Sequence, residues 1–343
     1  MAREGRMYIK FVTGCLFYML LFTVYFLYMI LGDDDSVVTI DESEFAVSIN
    51  DHQRDFSTTI QKLHQREKQN SVDNLIHSRW NVLDLGSVQV AGRWRQKRGF
   101  LTIGIPSVKR ARGAEYLLQT IRYIISRTTL KEKESIVLLV FLANFDTDYN
   151  AAVLKNISAR YGDYMNSGFL LVMQVPEKYY PPLTNLKRNY NDPPNQVAWR
   201  SKQNVDYAFM FFYGRNISEY YIQIEDDVMP AFGFVKDIRA FILKNYKNPW
   251  VCLEFSLLGF IGKLFKSGVL DKLARYLILF YDEQPCDWLI NYFLSSVTQT
   301  RHIYNRKSLF QHKGIWSSSS EKSKQGPFKA YDIYFREGKL NNE

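Results

Sequence analysis

Three cysteines in 343 residues are too few to staple a fold of this size. Cys15 falls in an apolar stretch, so Cys252 and Cys286 form the one pair a bridge could join, and the sequence alone leaves that open. The fold must rest on a packed core. No zinc-finger or RNA-binding signature accompanies the formal charge of +9, which excludes nucleic acid as a partner. The basic excess sits largely in Arg93, Arg95, Lys97 and Arg98, and in Lys322, Lys324 and Lys329. Such flanks suit an acidic membrane or a phosphate-bearing ligand, and they are equally the mark of a solvated surface. No internal repeat is present, which excludes solenoids and propellers. Aromatic residues, by contrast, are plentiful at 15%, mostly Tyr and Phe. They usually fill cores, although their rings also stack on sugar faces.

One long apolar run exists. Residues 11–31, FVTGCLFYMLLFTVYFLYMIL, carry no charge. As a helix they reach about 31 Å, enough for a bilayer core. Arg3, Arg6 and Lys10 precede the run, and Asp33, Asp34 and Asp35 follow it. The basic side stays cytoplasmic, so residues 1–10 read as a cytoplasmic tail and the bulk of the chain as luminal. A cleaved signal would end in small residues. Here Tyr25, Phe26, Tyr28 and Met29 crowd the end, which favours a retained anchor. The sequons at Asn156 and Asn216 agree with a lumenal domain that is glycosylated there. Residues 32–99 read as a stem. Ile49, Phe56 and Leu63 recur at sevens, but Asn70 ends the pattern.

From residue 100 the pattern changes. FLTIGIPSV reads as a strand that runs into a loop at Gly-Ile-Pro. SIVLLVFLA at 135–143 is a continuous apolar run of strand length. Further strands are expected at 168–175 and 220–224, with helices near 115–127, 147–160 and 201–213. The class is α/β with a mostly parallel sheet. Ligands of such sheets bind beyond the carboxyl ends of the strands. The Ile-Pro loop and the triplet Glu225-Asp226-Asp227 are both expected there.

Three packed carboxylates repel one another unless a cation sits among them, and hard oxygen donors suit Mg²⁺ or Mn²⁺. A solvated acidic turn is the plain alternative. Asp287 precedes Trp288, so a partly apolar pocket could tune it as a general base; it could equally be a helix N-cap. His312 could complete a metal site. Arg200, in WRSKQN at a helix start, is a candidate diphosphate contact or a solvated basic turn. The two glycines of LLGFIGKLF at 257–265 could mark a loop that approaches a site closely.

Six blocks in order, GIPSVKR (104–110), WRSKQNVDY (199–207), YYIQIEDDV (220–228), LEFSLLGFIGKLFKS (253–267), DWL (287–289) and SLFQHKG (308–314), resemble the N-acetylglucosaminyltransferase IV family. The resemblance implies a GT-A-like transferase domain over 100–314, followed by a C-terminal tail at 315–343 in place of a lectin-like domain. It implies a type II Golgi membrane enzyme that uses UDP-N-acetylglucosamine and Mn²⁺ or another divalent cation. That enzyme adds N-acetylglucosamine in β-1,4 linkage to the α-1,3 mannose arm of N-glycans on glycoproteins. Asp226, Asp227 and His312 match metal ligands. Glu225, Asp226, Arg200 and Lys109 match donor contacts, with Glu225 toward the ribose. Asp287 matches the general base, and Glu254 is a second acidic candidate. Family members also include an inhibitor of another Golgi N-acetylglucosaminyltransferase, so the alternative expectation is a catalytically inactive relative that binds and regulates such enzymes.

Overall fold

The computed structural model describes residues 88–110, 115–319, 326–327 and 329–338. The chain divides into two compact units, and all of these residues lie in the second, Asn70–Glu343. The expected cytoplasmic tail at 1–10, the expected anchor at 11–31 and most of the expected stem lie outside the described residues. Among the described residues no helix is long and apolar enough to cross a membrane.

The chain begins with β1 (Gln89–Ala91) and β2 (Gly99–Ser107), then α1 (Leu117–Ser126) and the single turn α2 (Leu130–Lys133). Next come β3 (Ile136–Leu142), α3 (Thr147–Asn166), β4 (Leu170–Met173), α4 (Pro194–Gly214) and β5 (Ser218–Gln223). β6 (Val228–Pro230), α5 (Phe234–Lys244), β7 (Cys252–Glu254) and β8 (Lys263–Lys266) follow. α6 (Leu270–Leu279), α7 (Cys286–Ser296) and β9 (Phe310–His312) complete the order. Seven strands form one sheet in the order β1-β4-β3-β2-β5-β8-β7. β4, β3, β2 and β5 pair in parallel; β1 and β8 run against them, and β7, antiparallel to β8, runs with them. The expected mixed α/β class with a mostly parallel sheet is what the chain adopts.

Every residue of β3 is buried, as a strand covered on both faces requires. Its side chains alternate between two cores. Val137, Leu139 and Phe141 pack with α4, α6 and α7; Ile136, Leu138, Val140 and Leu142 pack with α1, α3 and α5. Each fully buried aliphatic side chain contributes about 1.5–3 kcal/mol. α4 is buried nearly all round from Asn204 to Gly214 because it lies between the sheet and α6. Gly104 is required where β2 passes β5: a Cβ there would lie 1.8 Å from the Tyr221 hydroxyl.

The order places the site. From β2 the chain steps outward to β3 and β4, then crosses back to lay β5 on the other side of β2. Connections leave β2 and β5 in opposite directions, which opens a crevice at their carboxyl ends. Both helices read at 147–160 and 201–213 run longer than the apolar spacing alone marks. β1 lies inside the stretch expected as stem, and it pairs with β4. Residues expected as tail also pack on the domain. Asp332 is buried and accepts hydrogen bonds from Ser256 (3.0 Å) and Ser308 (2.6 Å). Cys252 and Cys286 are both buried free thiols, so the pairing left open by the sequence is not made.

Candidate active site

The site is built where β5 ends. Ile224 N–H donates to Gly104 C=O at 3.0 Å, which keeps the chain beside β2 past the last strand residue. Glu225, Asp226 and Asp227 follow, and then β6. β6 pairs antiparallel with β9, with Val228 opposite His312. Lys313 N–H donates to Asp227 C=O at 2.7 Å. This short ribbon carries His312 from far along the chain to Asp227, with Nε2 3.2 Å from Oδ2.

The three acids diverge. Asp226 turns toward β2, accepts a hydrogen bond from Ser107 Oγ at 2.8 Å and forms an ion pair with Arg110. Its carbonyl accepts from Thr120 Oγ1 at 2.7 Å. Glu225 and Asp227 converge instead with His312, and one potential ligand atom from each lies within 4.8 Å of the others. The metal set expected from the sequence was Asp226, Asp227 and His312. The structure groups Glu225 with Asp227 and His312 in the place of Asp226, which is turned to Ser107, while Arg110 pairs with both Asp226 and Asp227 (3.0 Å to the latter).

Asp227 Oδ1 and His312 Nδ1 are buried and make no hydrogen bond. Buried polar atoms are ordinarily paired. Two carboxylates and an imidazole with unpaired atoms fit a hard divalent cation such as Mn²⁺ or Mg²⁺. Glu225 is pushed up to about 8 by burial and by the Asp227 charge. Burial also raises Asp226, against the pull of Arg110. For Asp227 burial works upward too, but the His312 hydrogen bond and the Arg110 charge outweigh it and hold the carboxyl below its usual range. Burial alone would lower His312; the hydrogen bond and charge of Asp227 reverse that and raise it. Acceptors outnumber cations here, which is the electrostatic demand a metal ion meets.

A cavity of about 830 Å³ opens onto this cluster. Its walls come from strand ends: Lys109 and Arg110 after β2, Asn144 and Phe145 after β3, Glu225 and Asp226 after β5. Lys202 and Asp206 of α4, Asp287 and Trp316 add to them. The volume suits a small-molecule ligand with a few fixed polar contacts. Asp287 is the second residue of α7, with Pro285 at the N-cap, and it is exposed to the cavity. The loop after β7 comes close to it: a Cβ on Gly259 (φ +46) would lie 3.7 Å from both Asp287 carboxylate oxygens. Lys109 is exposed beside the cavity and lies 3.4 Å from Asp146.

Two expected site residues lie elsewhere. Arg200 does not line the cavity; it is buried and paired with Asp192 at 3.0 Å. Glu254 does not line it either. Its carboxylate is buried between Lys263 and His302, which occupy one oxygen each. Three residues of the cavity wall escaped the sequence reading as individuals. Arg110 stood unremarked in GIPSVKR. Lys202 and Asp206 pair at 2.8 Å, and Tyr180 donates to Asp206 at 2.6 Å. The i, i+4 spacing of the last pair was the available signal. Asn156 and Asn216 are both exposed.

Fold and site together define an α/β domain with a cation-competent acidic cluster at the switch point of its sheet. The model of the MGAT4 conserved region matches residues 63–331, and the chain belongs to this N-acetylglucosaminyltransferase IV family. It is 44% identical over 223 residues to alpha-1,3-mannosyl-glycoprotein 4-beta-N-acetylglucosaminyltransferase C of Sus scrofa, covering 65% of this chain and 46% of that protein. It is also 44% identical over 229 residues to alpha-1,6-mannosyl-glycoprotein 4-beta-N-acetylglucosaminyltransferase of Gallus gallus, covering 67% and 49%. The chain therefore spans about half the length of the curated relatives it matches. Among solved structures it is similar to S. aureus TarS 1-349 in complex with UDP-GlcNAc, at 12% identity and a TM-score of 0.30 over 54% of each chain. That likeness is loose and supports nothing about ligands.

Proposed function

We propose that this chain is a metal-dependent, inverting transferase that moves N-acetylglucosamine from UDP-N-acetylglucosamine to a mannose arm of N-glycans. The observation that carries the proposal is the convergence of Glu225, Asp227 and His312 on one another, where Glu225 and His312 line the cavity that Asp287 also lines and Asp227 is buried behind them. The names of the relatives support the donor sugar and the glycan acceptor. Those names include both α-1,3 and α-1,6 mannosyl forms at equal identity. We take the β-1,4 linkage on the α-1,3 arm as the reading to test.

A divalent cation held by Glu225, Asp227 and His312 would neutralise the departing diphosphate. Arg110 pairs with both Asp226 and Asp227 and holds them in place, and Lys109 extends the positive wall toward the phosphates. Asp287 takes the proton of the acceptor hydroxyl as its oxygen bonds to the anomeric carbon. The bond from that carbon to the diphosphate breaks, and UDP leaves with the electron pair. The charge-free apolar run at 11–31, read as a retained anchor, and the exposed sequon asparagines support a type II protein of the Golgi membrane with its domain in the lumen, glycosylated at Asn156 and Asn216.

The test is transfer by the luminal segment, with UDP-N-acetylglucosamine, Mn²⁺ and a biantennary N-glycan. Gain of one N-acetylglucosamine is expected, abolished by chelation and by Asp287→Asn. Donor binding without product would overturn the enzymatic reading and favour a regulator of other Golgi transferases.

A further inference from the structure

Asp287 marks one end of the cavity, and the surface just beyond it is aromatic. Trp288, the next residue, is 50% exposed, and Tyr190 is 43% exposed. Their rings meet edge to face with centroids 5.3 Å apart. Tyr292, one helical turn after Trp288, is exposed as well. Single exposed aromatics are ordinary, but a held pair beside a site calls for a physical cause.

The pair is held from below. Tyr190 lies on the loop between β4 and α4, over the guanidinium of Arg200, with 5.3 Å from ring centroid to Cζ. Arg200 is only 2% exposed, and its Nε and Nη2 make no hydrogen bond. Its partner Asp192 lies on the same loop, two residues after Tyr190. Asn189 of that loop donates to Glu283 at 2.7 Å, and Lys187 pairs with the same carboxylate. Asn191 between them holds a left-handed φ of 56°, which a non-glycine residue adopts at a cost. A guanidinium with unpaired nitrogens under an exposed ring destabilises the free fold. Neither the core nor the metal cluster gains from it.

A base that takes a proton from an acceptor hydroxyl must lie between donor and acceptor. The donor side of Asp287 is the cavity, and its other neighbour is Trp288. We propose that Tyr190 and Trp288 form the acceptor subsite, an aromatic platform for a pyranose ring of the N-glycan, with Tyr292 continuing it along α7. The C–H face of a pyranose lies on an aromatic ring, while its hydroxyls stay in water or reach Asp287. The inference rests on the transferase reading for the role of Asp287, and the platform itself is testable without turnover.

The experiment is a titration of the luminal protein, bound to UDP and Mn²⁺, with a free biantennary N-glycan, followed by saturation-transfer NMR. UDP affinity is measured in parallel. Trp288→Ala should weaken glycan binding by at least about tenfold and Tyr190→Ala by several-fold, as loss of an anchoring aromatic does. Trp288→Phe should recover most of the loss, and UDP affinity should stay unchanged throughout. In turnover the acceptor KM should rise while the donor KM does not. Unchanged glycan affinity in both alanine variants would overturn the platform, as would wild-type protein that binds UDP but no N-glycan. Glycan binding that needs Trp288 in a protein without transfer activity would uphold the platform and overturn the transferase reading.

Discussion

Among the described residues two buried carboxylates each meet a histidine and a cation, Asp227 and Glu254, and only the first belongs to a cluster that opens onto the cavity. At the end of β5, Asp227 meets His312 and Arg110. On β7, Glu254 meets His302 and Lys263. The residue types are nearly the same. The second cluster is closed, since one carboxylate has both oxygens engaged by two partners. The first has two further carboxylates, Glu225 and Asp226, and it retains buried atoms without hydrogen bonds. Burial of an acid beside a histidine therefore does not make a metal site. What suits a cation is an excess of acceptors with buried atoms left unpaired, and only the first cluster has it.

Substitution separates the two clusters. Asp227→Ala should abolish measurable transfer, a loss of at least about a hundredfold, while the protein stays folded. Glu254→Ala should do the reverse. It leaves Lys263 buried without its counter-ion and should cost about 3 kcal/mol in urea unfolding, with Mn²⁺ affinity of the folded protein unchanged. If Glu254→Ala removed metal binding at full stability, the comparison would be broken.

A subtler change acts through space alone. Gly314 faces Asp227 so closely that a Cβ would lie 2.1 Å from Oδ2. Gly314→Ala should displace that carboxylate and weaken Mn²⁺ by roughly tenfold, the penalty seen when a ligand loses its orientation. Calorimetry reads this directly, and an unchanged affinity would mean Asp227 is not a ligand. The gentlest perturbation, which alters no residue, is of pH. Glu225 is held up to about 8 and His312 above its ordinary value, so both bind protons that a metal must displace. Mn²⁺ affinity should therefore rise with pH between about 6 and 9, by up to roughly tenfold per unit for each proton displaced. In Glu225→Gln the slope should flatten.

The sheet was legible because its strands are extreme. A run such as IVLLVFL can be buried on both faces and little else. The acidic triplet was legible as the end of such a strand, and Asp287 and His312 through the family blocks. The three-residue strands β6 and β9 carry no periodicity that a sequence can display, yet they bring His312 to Asp227. Neighbouring acids also could not be told apart by type. Glu225 and Asp227, two residues apart, share a side, while Asp226 between them faces Arg110, much as alternate side chains do in extended chain. Arg200 and Glu254 misled for one reason. A charged residue in a family block suggests a ligand, but both side chains are buried on protein partners: Arg200 on Asp192 of a loop without pattern, and Glu254 on Lys263 of the next strand and the distant His302.

The most direct test of the central claim is a calorimetric titration of Mn²⁺ into the purified protein in the presence of UDP. Wild-type protein and Asp227→Ala would be compared with Glu254→Gln. The account predicts one Mn²⁺ per chain in wild type and in Glu254→Gln, and none in Asp227→Ala. Equal Mn²⁺ binding by wild type and Asp227→Ala would contradict it.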